Sequence, residues 1–413
     1  MRRYIVATLL VPLVATVLAA DPPALAEAPA VPSGLIVHEW GTFTEMQGTD
    51  GVVLDGLHHE EEQLPDFVYD RSRSPEVYEG VRTKMETPVT YFYGPASMSV
   101  DVRVRFPRGV LTQWYPIATS FAPAVREAGP PVALRGGELV WNKLVLLAAN
   151  DPRMARVRLP VTRANDPWNH ARETDAMVVK AFGNPHCQWE KMLFYRGLGK
   201  IEMPVVVVAK DKSRFTVTNR DTLAVTGAIA IQVEGGVGAF SILGTLGGRG
   251  RTDLVAPLTA GAGEPLAAMV PRLQRALVAI LAAEGLYGKE AWAMVRTWTA
   301  SYFHTPGLRI LYCLPRATTD KAIPLTVTPA PTETVRVMVA RLECLTPERE
   351  TAIECSVHGL GDPELEVRER ARRELEALGR FAEPNLRRVV ARTNDPDVRT
   401  RAQELLATLA PAR

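Results

Sequence analysis

Two glutamates sit where apolar side chains are expected. Glu39 lies in Ile36-Val-His-Glu-Trp-Gly-Thr-Phe-Thr-Glu45 and Glu86 in Lys84-Met-Glu-Thr-Pro-Val-Thr-Tyr-Phe-Tyr93, both β-branched and aromatic tracts. Apolar surroundings push a carboxyl toward its protonated form, so such a pair could serve as a general acid with a base or nucleophile, as in glycan hydrolysis. Trp40, Tyr91 and Trp114 would offer faces to a sugar ring. The same burial equally suits carboxylates tied to structural cations, for which Lys84, Arg196 and Arg309 are candidates.

A second chemistry would use His38 with His58, His59 and Glu60 and the following Glu61 and Glu62, an imidazole and carboxylate set suited to zinc. His186, His304 and His358 are more distant candidates. Spacing argues against a metal site, because His-Glu-x-x-His and His-x-His are absent and adjacent histidines on an extended chain point apart. A divalent metal is therefore not the favoured cofactor, and a solvated acidic loop is the plainer reading. Other chemistries lack their motifs. There is no Gly-x-Ser-x-Gly, and Gly235-Gly-Val-Gly238 and Gly247-Gly-Arg-Gly250 lack the Lys-Ser/Thr of a phosphate loop. The first glycine run also fails the dinucleotide fingerprint, and without Cys-x-x-Cys no c-type haem, zinc ribbon or thioredoxin motif is present. No nucleotide, flavin or haem is expected.

These residues need elements to hold them. On a strand, Val37, Glu39, Gly41 and Phe43 point one way and Ile36, His38, Trp40 and Thr42 the other, so each face carries apolar bulk beside one ionisable group. That pattern predicts a strand buried between two layers. Thr49-Asp50-Gly51 is a turn signal that would fold Val52–Leu54 back on Phe43–Gln47, and Pro88 places the Lys84–Tyr93 strand at an edge or a bulge. Val100, Val102, Val104 and Phe106 alternate with Asp101, Arg103 and Arg105, and Pro107-Arg-Gly109 would return that strand as an antiparallel hairpin through Val110–Ile117. Further short strands follow at Leu139–Leu147, Met192–Tyr195, Val205–Ala209, Phe215–Thr218, Ala228–Val233 and Ala239–Leu243, without intervening helices. From Glu264 to Phe303 the period becomes helical, broken at Gly285 and Gly288, after which Leu308–Leu314 and Val335–Arg341 return to strand.

The ends of the chain carry different signals. Met1-Arg2-Arg3 followed by apolar Tyr4–Leu18, with small residues at Val17–Ala19 and Ala24–Ala26, reads as a cleavable signal peptide over 1–26. An Ala/Pro-rich spacer would follow over 27–34, leaving a soluble exported chain, periplasmic or extracellular, with no later membrane span. Across 413 residues the formal net charge is +2, with 46% hydrophobic and 23% charged residues, so no global field draws the protein to nucleic acid. Export permits disulfides, and Cys344 with Cys355 is the preferred pair among the four cysteines. After residue 345 the chain reads as helical. Val367, Ala371 and Leu375, which follow Asp362-Pro363, are echoed at one common offset by Val398, Ala402 and Leu406, which follow Asp395-Pro396 after a shorter spacer.

The Asp395–Leu406 pattern Asp-Pro-x-Val-Arg-x-x-Ala-x-x-x-Leu resembles the HEAT repeat, which implies a packing or protein-partner role for 346–413. Residues 35–345 resemble a group of uncharacterised exported bacterial proteins through four tracts: Val37-His-Glu-Trp-Gly-Thr-Phe-Thr44, Lys84–Tyr93, Leu193-Phe-Tyr-Arg-Gly-Leu-Gly199 and Gly307-Leu-Arg-Ile-Leu-Tyr312. That resemblance brings no activity. The expected architecture is α+β: an antiparallel β-sandwich-like domain over 35–345 with a helical hairpin at 264–303, then a small HEAT-like segment. The expected role is an exported binding or scaffold protein with a protein partner at its helical end. The alternative is a hydrolase using Glu39 and Glu86, or His38 with the His58–Glu62 loop.

Overall fold

The computed structural model describes residues 25–29, 31–58, 61–71, 78, 80–124, 133–183, 186–261 and 263–409. The predicted leader falls almost wholly outside the described residues, as do His59 and Glu60. In the stretch expected as a spacer Ala28 packs beside the core; so does Leu25, at the end of the expected leader, where Gly288 N–H donates to the Ala26 carbonyl at 2.7 Å.

A ten-stranded sheet forms the middle of the molecule. In spatial order it runs β16 (Glu264–Pro265), β14 (Val237–Leu246), β13 (Val225–Glu234), β17 (Gly307–Cys313) and β19 (Glu333–Cys344). It continues with β1 (Ile36–Gln47), β3 (Thr83–Tyr93), β10 (Leu193–Gly199), β5 (Gly109–Tyr115) and β2 (Tyr69–Asp70). All of β1 is buried, as its two apolar faces require.

Val37 and Phe43 face two smaller sheets across a shared core. One joins β18 (Leu325–Thr328), β4 (Met98–Phe106), β7 (Gly137–Leu147), β8 (Val178–Ala181) and β9 (Gln188–Glu190), with β6 (Ser120–Ala122) beside β7. The other is β11 (Val205–Ala209), β12 (Arg214–Asn219) and β15 (Arg251–Val255). Trp40 faces the opposite way, toward α2 (Leu266–Ala283) and α3 (Gly288–Phe303), the predicted helical hairpin. Among the described residues α2 alone is long and apolar enough to cross a membrane, but its Met269, Leu273, Leu277 and Leu281 stripe buries into the helix–sheet core. Short helices α1 (Trp168–Ala171) and α4 (Arg316–Ala322) lie between strands.

Three pairings differ from the sequence reading. The central pair is parallel, with Ile36 opposite Glu333 through to Gln47 opposite Cys344, so the large sheet is mixed rather than antiparallel. The turn after Phe106 makes no hairpin: β4 pairs with β7 and β18, and β5 crosses into the large sheet to pair with β10 and β2. Pro88 takes the second of its two expected places, a bulge, and does so in an interior strand. Its missing N–H is accommodated because the registers shift opposite it on both sides, between Trp40 and Thr42 and between Phe194 and Gly197. A Cβ on Gly41 would stand 2.8 Å from Pro88 Cα, so the bulge needs glycine there. Thr87 takes the remaining distortion at φ 50°. The turn at Gly51 reduces to a single bridge, Gln47 to Val53.

The chain ends in α5 (Pro347–Gly359), α6 (Leu365–Leu378), α7 (Glu383–Arg392) and α8 (Pro396–Leu409). α5 packs on α6 and α7 on α8, around Leu360, Ala371, Leu375, Leu386, Ala402 and Leu405. Asp395 caps α8 by accepting from the Asp397 and Val398 amides at 2.8 and 3.2 Å. Asp362 does not cap α6 in this way; its carboxylate accepts from the Glu364 amide, ahead of the helix, and its carbonyl from the Arg368 side chain. Phe381 docks the segment on the sheet beside Gly307, whose φ of 133° and missing Cβ leave room for the ring. The Cys344–Cys355 bridge does not form. Cys344 is buried at the end of β19 while Cys355 is exposed on α5, and all four cysteines are free.

Candidate functional site

The ionisable residues of β1 are held by the architecture around them. Glu39 faces the smaller sheets, where Arg336 of the neighbouring strand lies 2.6 Å away and the Tyr195 hydroxyl donates to its other oxygen. Arg336 also donates to Asp320 and to the Ile323 carbonyl, each at 2.7 Å. His38 faces α3, with Nδ1 2.7 Å from Glu290 Oε2 and its ring in one cluster with those of Tyr93 and Tyr287. Glu290 accepts in addition from the Tyr93 hydroxyl at 2.8 Å and the Tyr287 amide at 2.9 Å, closing the first turn of α3.

Glu86 is on the α3 side of the sheet, opposite Thr42, so the sheet separates it from Glu39 and the two do not form a catalytic pair. Lys84 lies 2.7 Å from one of its oxygens, and the hydroxyls of Thr44 and Tyr302 donate to the other at 2.8 and 2.7 Å. Burial works to raise this carboxyl, but Lys84, Arg341 and Arg196 outweigh it and hold Glu86 well below the usual carboxylate range. Arg341 extends the network: it donates to both oxygens of Glu61 at 2.7 and 2.8 Å and to Glu343 at 2.7 Å. Glu343 also takes Arg309 at 3.1 Å and Arg380 at 2.9 Å, so three cations converge on one buried carboxylate.

Of the expected metal set, His59 and Glu60 lie outside the described residues, and His38 and His58 are held by different partners. His38 belongs to the start of α3, whereas the His58 amide donates to Glu383 of α7 at 3.1 Å. Among the described residues no group of three or more His, Cys, Asp or Glu side chains could hold a metal ion.

Open space lies at both ends of α3: about 410 Å³ at its start, among Leu25, Tyr93, Tyr287, Lys289 and Trp292, and a larger cleft at its end, around Glu62. A cleft of about 530 Å³ is bounded by Glu61 and Glu62, by Ala300, Ser301 and Thr305 at the end of α3, and by Arg349 and the Gly379–Phe381 turn of the helical segment. Arg349 and Arg380 lie over the Phe381 ring at 4.3 and 5.1 Å. Burial lowers the Arg380 guanidinium to about 9. Two smaller spaces adjoin the cleft. One is lined by Glu62, Glu86, Thr87, Arg196, Trp298 and Tyr302; the other has an apolar wall of Trp40, Leu64, Pro65, Trp168 and Phe194. All three touch Glu62. Burial raises the Glu62 carboxyl, against the opposing pull of Arg196 and a hydrogen bond to Ser301.

Arg341, Glu343, Tyr302 and Trp298 were not among the candidate site residues of the sequence. A trace of the first two existed, because Arg341 and Glu343 are two apart in an apolar strand and so project from one face.

No family model matches the chain, and no curated protein matches it. Among solved structures it is similar to the yeast delta-COP-I mu-homology domain at 8% identity and a TM-score of 0.28, covering 76% of this chain and 100% of that one. The same domain complexed with the Dsl1 WxWxV peptide gives 8% identity, the same coverage and a TM-score of 0.26. A likeness this loose carries no argument about fold or function.

Proposed function

We propose that this is an exported binding protein whose ligand occupies the cleft around Glu62, with the HEAT-like helices serving as one wall. The observation that carries this reading is the cleft of about 530 Å³ at the end of α3, where Glu61, Glu62, Arg349 and Phe381 give a small molecule both charged and aromatic surface and where two smaller spaces also reach Glu62. Ala300 lines the cleft, so Ala300→Trp should fill it without touching the buried ion pairs. Native mass spectrometry of the protein exposed to a soluble metabolite extract should show a bound small molecule that the variant loses. An identical spectrum for both proteins, with no adduct, would remove the proposal.

A hydrolase reading has one specific observation in its favour, with a changed pair of residues. Glu62 and Glu86 line one small space, and their carboxyls are driven in opposite directions, the pattern of an acid beside an ionised partner. Turnover of fluorogenic glycosides that Glu62→Gln abolishes would favour it over binding alone. No turnover across such a panel would leave binding as the better account.

A further inference from the structure

The sequence offers two places to cut the expected leader, after Val17-Leu18-Ala19 or after Ala24-Leu25-Ala26, and the second is the closer match to the Ala-x-Ala pattern that a signal peptidase reads. The fold separates them. A leader is discarded once it is cut, so residues that hold the folded chain together do not belong to it.

Leu25 and Ala26 are such residues. α3 begins at Gly288, and the first amides of a helix have no acceptor inside it. The Gly288 N–H donates instead to the Ala26 carbonyl at 2.7 Å. Leu25 packs beside the helix–sheet core, and Gly288 records that contact from the other side. The Gly288 backbone is ordinary helix, which any residue adopts and which glycine weakens, yet a Cβ there would stand 2.8 Å from Leu25 Cβ. Room for Leu25 is what glycine provides at this position. Leu25, Glu27 and Ala28 also line the space of about 410 Å³ at the start of α3, together with Tyr287 and Trp292. A cut after Ala26 would remove the acceptor and the apolar contact at one stroke.

We propose that the leader is removed after Ala19 and that Leu25–Ala28 stays on the mature chain as a strap over the start of α3. Export is presupposed; ligand binding in the cleft is not. The full chain, carrying a C-terminal affinity tag, is produced in a secreting bacterial host, and the intact mass of the purified protein gives its first residue. A chain beginning at Ala20 is expected. One beginning at Glu27 would overturn the cleavage assignment while export stands, and an uncut chain held in the cytoplasm would overturn both.

The strap has a test of its own that needs no secretion. Chains made without a leader, starting at Ala20 or at Glu27, are compared by thermal melting, each with and without Gly288→Ala. The shorter chain should melt a few degrees lower. Gly288→Ala should lower the midpoint of the longer chain, where the added Cβ meets Leu25, and leave unchanged or raise that of the shorter one, where alanine is the better helix former. Equal midpoints for the two parent chains, or the same response to Gly288→Ala in both, would overturn the strap.

Discussion

Glu39 and Arg336 face each other across the parallel pair of strands, 2.6 Å apart, with side-chain exposures of 0% and 1%. A buried ion pair of this kind is costly to break from one side, since the remaining charge has no water to turn to. Glu39→Gln is therefore expected to cost about 3–5 kcal/mol, read as a lower urea midpoint at constant slope. Replacing both partners, as in Glu39→Gln with Arg336→Met, should recover much of that loss. An unchanged midpoint for the single variant would show that the pair does not support the fold.

Glu45 should make stability depend on pH. Burial raises its carboxyl from 4.5 to about 8, against a hydrogen bond from Gln47, and its second oxygen has no partner. Between those values the folded chain keeps a proton that the unfolded chain has released. Stability contributed here is thus full below about 4.5, declines as pH rises, and levels off above about 8, a total of roughly 5 kcal/mol at most. Glu45→Gln should flatten this decline and stabilise the protein in alkaline buffer. Parallel pH curves for the two proteins would contradict it.

Gly307→Ala should loosen the C-terminal helices. The added Cβ would stand 2.6 Å from the Phe381 ring at a backbone φ of 133°, so both strain and overlap oppose it. A loss of about 2 kcal/mol is expected. Limited proteolysis should then cut first between Leu345 and α7. Protection equal to that of the parent chain would mean that the ring has another place to go.

Free cysteines give a chemical count. Cys187 and Cys355 are exposed and should react with a thiol reagent in the native protein, whereas Cys313 and Cys344, buried and with thiols pushed up by burial, should react only after unfolding. Two equivalents followed by two more is the expected result. A reductant that lowers the melting temperature would point to a bridge instead.

The depth of β1 was legible because both parities of its sequence carry apolar bulk, and α2 and α3 because their apolar residues recur at helical spacing. The Lys84 partner of Glu86 was legible too, two residues away on the same face of one strand. Arg336 was not found for Glu39, because its approach depends on the register of two strands almost 300 positions apart, and a pairing of that kind leaves no local trace. The same reason hides the cleft. Glu62, Ser301 and Arg380 are each ordinary polar residues until a loop, a helix end and a distant turn are brought together.

The union of β1 with β19 also sets the order of events when the polypeptide folds. Residue 36 can pair early with Tyr93 of β3 but finds its parallel neighbour only once residue 333 exists, so the middle of the large sheet cannot be completed on a partly made chain. A truncated product ending before Glu333 would expose β1 as a long, apolar, unpaired edge, a ready template for aggregation. Closing this sheet is accordingly expected to be slow, since its central pair joins the two most distant stretches of the domain.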